Sequence, residues 1–187
     1  MSLEDGRYAL VGGNGAGKST LLKILVGSED ADSGQVIMGG HDMKSDHIEA
    51  RRKFSYVPDK PLVYPFLTGE EFLRMIASMH HIKQDDDIDK LVQQFGLVPH
   101  VEKKFSEMSL GTQRKFFLVA ALMAKPSILF MDEPTNGLDQ DTLDNLVELL
   151  TNDDAPRLVL FSSHDQDFIK RLSATKLNLK KGQLLLE

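Results

Sequence analysis

Apolar residues recur along this chain in two patterns. Tyr8-Ala-Leu-Val11, Ile128-Leu-Phe-Met131 and Leu158-Val-Leu-Phe161 are short apolar runs with the length and flanks of buried strands. Between them lie stretches whose apolar residues fall three and four apart, the spacing of a helix that buries one face. The first such helix follows a glycine-rich turn and carries Leu21, Leu22 and Leu25. Another starts at Thr68, where Thr68 and Glu71 have capping-box spacing and Phe72, Leu73, Ile76 and Met79 form the stripe.

The same reading predicts short strands at Val36-Ile-Met38 and Phe54-Ser-Tyr-Val57. It predicts helices from Ile88 to Phe95 and from near Ser109 to a stop before Pro126. Leu143, Leu146, Val147 and Leu150 mark a further helix face, and Ser163 with Gln166 has the spacing of a second capping box. Leu177-Asn-Leu179 and Leu184-Leu-Leu186, joined through Lys181-Gly182, read as a terminal hairpin. The acidic run Asp85-Asp86-Asp87 suits the opening turn of a helix better than a metal site, because adjacent helical residues do not share a face.

Strands that alternate with helices imply an α/β fold with a largely parallel sheet wrapped by helices. The run of helices between the first strand–loop–helix unit and the strand at Ile128 implies an inserted helical lobe. The expected division is one domain over residues 1–187, with a core at 1–63 and 105–187 and the lobe at 64–104.

Composition narrows the classes. The 28 acidic against 22 basic residues give no bulk charge that would draw nucleic acid or an anionic lipid surface. Cysteine is absent, which excludes disulfides and thiolate metal sites. No apolar stretch reaches the roughly 20 residues of a membrane span, and Met1-Ser-Leu-Glu-Asp lacks the pattern of a secretion signal, so a cytoplasmic location is expected.

The chemistry-bearing residues stand at strand ends. Gly12-Gly-Asn-Gly-Ala-Gly17-Lys18-Ser19 fits G-x-x-x-x-G-K-[ST], the loop whose backbone N–H groups and following helix N-terminus curl around phosphate oxygens. Lys18 would reach the terminal phosphates and Ser19 would offer its hydroxyl to Mg²⁺. Asp132 closes an apolar strand, where open α/β sheets place ligands, and can hold the same metal. Glu133 follows it, and His164 stands just after the next strand.

Met108-Ser-Leu-Gly-Thr-Gln-Arg-Lys, placed ahead of Ile128-Leu-Phe-Met-Asp-Glu-Pro-Thr-Asn-Gly-Leu-Asp139, resembles the signature motif, Walker B motif and D-loop of the ATP-binding cassette (ABC) ATPases. With the loop at Gly12, the resemblance spans nearly the whole chain and implies a P-loop NTPase that binds ATP and Mg²⁺. It implies nucleotide contacts at Gly12, Asn14, Gly15, Ala16, Gly17, Lys18, Ser19 and Thr20, with metal held by Ser19, Asp132 and Asp59. In this family Glu133 would orient the attacking water and His164 would contact the γ-phosphate. Ser109 and Gly111 would face the ATP of an opposite subunit in a head-to-tail homodimer or heterodimer, and Asn136, Gly137 and Asp139 would form the D-loop. The active partner is then a membrane-spanning transporter subunit docked on the helical lobe, with this chain peripheral on the inner face of the cell membrane. No direct nucleic acid contact is expected.

Three positions depart from the family pattern. Asp59 stands where a glutamine is usual, and an ionised carboxylate only accepts hydrogen bonds. Leu110 and Thr112 alter the signature. Few residues precede Gly12, so the antiparallel strands and adenine-stacking aromatic of the family are expected to be missing, with weak base selectivity. The relaxed signature and Tyr64-Pro-Phe-Leu-Thr-Gly-Glu70 resemble exporters whose membrane subunits are separate chains. The alternatives are an ABC ATPase that acts on DNA or the ribosome, and a regulatory nucleotide-binding module.

Overall fold

The structure, a computed structural model, describes residues 2–82, 86–152, 155–180 and 182–186. Strand β1 (Gly6–Val11) runs into the glycine-rich loop and then helix α1 (Lys18–Leu25). Strands β2 (Ile37–Met38) and β3 (His41–Asp42) form a small antiparallel ribbon outside the main sheet. The predicted strand at Val36–Met38 therefore exists but belongs to this ribbon. Helix α2 (His47–Arg51) follows, then β4 (Phe54–Val57), α3 (Gly69–Met79), α4 (Asp86–Gln94) and α5 (Leu110–Met123). The chain closes with β5 (Ile128–Asp132), α6 (Gln140–Thr151), β6 (Leu158–Ser162), α7 (Gln166–Arg171), β7 (Thr175–Lys180) and β8 (Gln183–Leu186).

Among the described residues the main sheet has the order β4-β5-β6-β1-β7-β8, and only the β7–β8 hairpin pairs antiparallel. Its central strands are buried on both faces, and their side chains alternate between two cores. Ala9, Leu129, Met131, Val159 and Phe161 face one, which the aromatic side chains of α3 and α5 complete. Leu10, Phe130 and Leu160 face the other, against Leu22, Val26 and Ala50. The continuous apolar character of these strands follows from that two-sided burial.

Thr68 caps α3 as expected, with the reciprocal Glu71 bond to the Thr68 backbone in place. At α7 the cap is Asp165, whose carboxylate accepts the Asp167 and Phe168 N–H groups. The expected Ser163–Gln166 box does not form. The Ser163 hydroxyl instead accepts the Asp165 N–H, so the carboxylate two residues later takes the capping position. The acidic run opens α4 at Asp86, while Asp85, like Lys181 in the terminal hairpin, lies outside the described residues.

The α3 and α4 segment packs onto α5 rather than standing apart. Phe72, Phe105, Phe116 and Phe117 form an aromatic cluster with ring centroids between 4.9 and 6.5 Å apart. Gly69 lies so close to Phe116 that a Cβ there would fall 2.2 Å from its ring. Asn145 of α6 donates to the Gln94 carbonyl at 2.6 Å, tying the end of α4 to the sheet-flanking helices.

Candidate nucleotide-binding site

The ends of β1, β5 and β6 deliver one group of side chains to one place. After β1 the chain turns through Gly12 at φ 156°, Gly15 at 75° and Gly17 at 98°, values that favour glycine. A side chain at Gly12 would also strike the Leu179 carbonyl oxygen, at 2.7 Å. Gly17 caps α1 without a side-chain bond, so N–H groups of the first turn remain for a ligand. Asn14, Gly15, Ser19 and Thr20 are exposed around this turn, and Ala16 is half-buried.

Lys18 is buried, and its ammonium donates to the Gly12 carbonyl at 3.0 Å while lying 3.2 Å from His164 Nε2. The same Nε2 is 3.4 Å from Glu133 Oε1. Glu133 has φ 47°, a left-handed conformation that a non-glycine residue adopts at a cost of about 1 kcal/mol or more. Its N–H donates to the Ser162 hydroxyl at 2.9 Å, and that hydroxyl donates to Asp132 Oδ1 at 2.6 Å. Lys18, His164, Glu133, Ser162 and Asp132 thus form one contiguous polar group at the carboxyl ends of the central strands. Ser162 stands in register with Asp132 across β5 and β6. Sequence reasoning passed over it, although its place at the end of β6 carried the signal.

A second group surrounds the start of α5. Ser109 caps that helix by accepting the Thr112 N–H at 3.2 Å. Gly111 abuts the D-loop, where a Cβ would come 2.5 Å from the Gly137 carbonyl oxygen. Lys115 pairs with Asp139 Oδ2 at 2.6 Å, and Asp139 also caps α6 through Thr142. The Lys115 and Thr142 hydrogen bonds hold the Asp139 carboxyl well below the usual carboxylate range. Asp59 is engaged by Arg114 at 2.8 Å. Arg114 and Lys115 were not singled out from sequence, because their partners lie far away along the chain.

Tyr56 links the two groups electrostatically. Burial, followed by the Asp132 and Asp59 carboxylates, pushes its hydroxyl up to about 12. Among the described residues no cluster of three or more histidine, aspartate or glutamate side chains forms a self-contained metal site.

A glycine-rich loop that meets a buried lysine, an exposed histidine and paired carboxylates at the ends of parallel strands has the architecture of a P-loop protein. Residues 2–136 match the family model described as ABC transporter. The chain belongs to the ABC transporter ATP-binding family. It is 32% identical over its whole length to the uncharacterized ABC transporter ATP-binding protein YdbJ of Bacillus subtilis, covering 62% of that protein. It is 31% identical over 99% of its length to the linearmycin resistance ATP-binding protein LnrL of the same organism, covering 61% of it. The chain therefore spans about three-fifths of these relatives. A solved structure of an ATP-binding subunit of an ABC transporter superposes with TM-score 0.89 at 28% identity, covering 98% of this chain and 79% of that one. The dimeric cassette MJ0796 bound to ADP and phosphate superposes with TM-score 0.84 at 22% identity, over 100% of this chain and 87% of its own.

Proposed function

We propose that this chain is the ATP-binding and ATP-hydrolysing subunit of an ABC transporter, working as a dimer with a separate membrane subunit. The carrying observation is the contact series Lys18–His164–Glu133, which puts a phosphate-binding cation beside a carboxylate at strand ends. Lys18, the loop from Gly12 to Gly17 and the exposed Ser19 and Thr20 bind and orient the triphosphate. Glu133 positions a water for in-line attack, and His164 contacts the terminal phosphate. Catalysis of this kind is positioning and electrostatic stabilisation.

The donor set fits Mg²⁺. Ser19 offers a hydroxyl, and Asp132 is 4% exposed with Oδ1 already bonded to Ser162, so its other oxygen can accept a ligand. Such an ion would supply charge stabilisation at the phosphates. Asp59 was expected beside it, but its carboxylate is held by Arg114 and Asn136.

The partner reading rests on a largely apolar groove of about 910 Å³ between β4, α3 and α5, lined by Tyr64, Met75, Ile76, Met79 and Phe117 among others. Leu62, Tyr64, Phe66 and Met79 stand exposed nearby at 91, 65, 63 and 69%. A contiguous apolar surface of this kind suits a protein partner. Among the described residues no helix is long and apolar enough to cross a membrane; in the proposed assembly a separate membrane subunit carries the spanning segments. The chain would sit on the inner face of the membrane through it.

Glu133→Gln tests the assignment. Steady-state phosphate release should fall at least about a hundredfold while ATP-bound dimers accumulate in sedimentation. Unchanged hydrolysis would remove Glu133 from the reaction.

A further inference from the structure

We propose that Asp59 and Arg114 form a latch that makes the start of α5, the loop after β4 and the D-loop move as one unit, so that both act as positioning residues. Its functional consequence rests on the ATPase reading above.

Arg114 lies on the second turn of α5 and spreads its guanidinium across two loops. Nε and Nη2 donate to the Asp59 carbonyl at 3.0 and 2.6 Å, and Nη2 also donates to Asp59 Oδ1 at 2.8 Å. Nη1 donates to the Asn136 carbonyl, and Asn136 Nδ2 donates to the same Asp59 oxygen at 3.3 Å. Two loops, separated by 55 and 22 residues from Arg114, thus meet on one planar cation. The side chains are only 16% exposed for Arg114 and 33% for Asp59. Partial burial and the forked geometry make this pair stronger than a surface ion pair. A lysine could not serve three acceptors in this arrangement, since its ammonium is a point charge.

The latch reaches the reacting group in one further step. Asn136 donates its backbone N–H to the Glu133 carbonyl at 3.2 Å, so a shift of Asn136 strains the turn that holds Glu133 at positive φ. Gly111 presses on Gly137 from the other side, leaving little room for the first turn of α5 to slide on its own. Displacement of Ser109 and Gly111 by a neighbouring subunit's nucleotide would therefore be passed through Arg114 and Asn136 to Glu133. Asp59 in this role is a fixed acceptor for Arg114, which explains why an acid can stand where the family has glutamine.

Hydrogen exchange on the intact chain tests the latch. In Asp59→Ala and in Arg114→Gln, the amides of residues 110–113 and 136–138 should exchange about tenfold faster, the scale of one charge-assisted bond. The double variant should exchange little faster than Arg114→Gln alone, because that variant already removes the Arg114 bonds to both the carbonyl and the carboxylate of Asp59. Asp59→Asn, which keeps an oxygen acceptor and the side-chain size, should show a smaller change of the same sign. Binding of a fluorescent ATP analogue should stay within about twofold. Unchanged exchange in the single variants, or additive acceleration in the double, overturns the proposal. A raised Mg²⁺ requirement for nucleotide binding in Asp59→Ala also overturns it, by putting that carboxylate on the metal. Exchange is read without turnover, so loss of the ATPase reading and loss of the latch give different results.

Discussion

The Ser162 hydroxyl donates to Asp132 Oδ1 at 2.6 Å while accepting the Glu133 N–H at 2.9 Å, so one buried oxygen ties the Asp132 carboxylate to the Glu133 backbone. Ser162 is fully buried, and removing its hydroxyl takes the bond from Asp132 Oδ1 while the Glu133 N–H keeps the Ser162 carbonyl at 3.2 Å. Ser162→Ala should raise the Mg²⁺ concentration for half-maximal ATP hydrolysis about tenfold, as outer-shell partners of metal ligands do. Threonine should restore part of the loss. A Mg²⁺ titration of phosphate release reads the effect, and an unchanged requirement would detach Ser162 from the proposed metal site.

His164 and Lys18 touch, yet their variants should separate. His164 is half exposed and bridges Lys18 and Glu133, so His164→Ala should lower kcat about a hundredfold with nucleotide affinity little changed. Lys18→Ala removes the buried cation itself and should abolish binding of the fluorescent analogue at micromolar protein. Equal losses of affinity in both would contradict the division of roles.

Gly69→Ala should destabilise the chain without touching the nucleotide site. The added Cβ would meet the fully buried Phe116 ring at 2.2 Å, and overpacking of this kind costs about 1–3 kcal/mol. Denaturant melts measure it, and Gly69→Ala combined with Phe116→Leu should recover part of the loss.

Asp139 gives a pH signature. Its folded pKa lies below the ordinary value, with the Lys115 bond as the first cause. The unfolded chain therefore takes up that proton first, so the contribution is complete above about pH 4 and is lost as pH falls below it. Because the Asp139 side chain is more than half exposed, screening keeps this contribution below about 1 kcal/mol. Asp139→Asn should be slightly less stable at neutral pH and should lose less melting temperature between about pH 4 and pH 2 than the parent. A steeper loss in the variant would reverse the sign of the argument.

Sequence periodicity revealed the features whose causes are local. The glycine loop, the Thr68–Glu71 box and the apolar strands ending at Asp132 and Ser162 each depend on neighbours a few residues apart. The sequence also named Lys18, Glu133 and His164, and these residues meet in the structure. What stayed hidden depends on distant partners. Asp59 was expected near the metal from its place in the family pattern, and its pairing with Arg114, 55 residues away, left no local signal. Helix α2 escaped notice because its five residues carry too short a pattern to show a period. At α7 the local signal was ambiguous, since Ser163 and Asp165 both suit a cap and the carboxylate takes it.

The alternation of β5 between two cores also works as a ruler for the proposed catalytic carboxylates. Leu129 and Met131 belong to one core and Phe130 to the other, so a slip of one residue against β6 would turn all three toward the wrong layer. The same slip would carry Asp132 away from Ser162, its register partner. Sorting greasy side chains into two layers therefore measures out the carboxylates to within a residue, and a sequence change deep in the sheet could silence the site without approaching it.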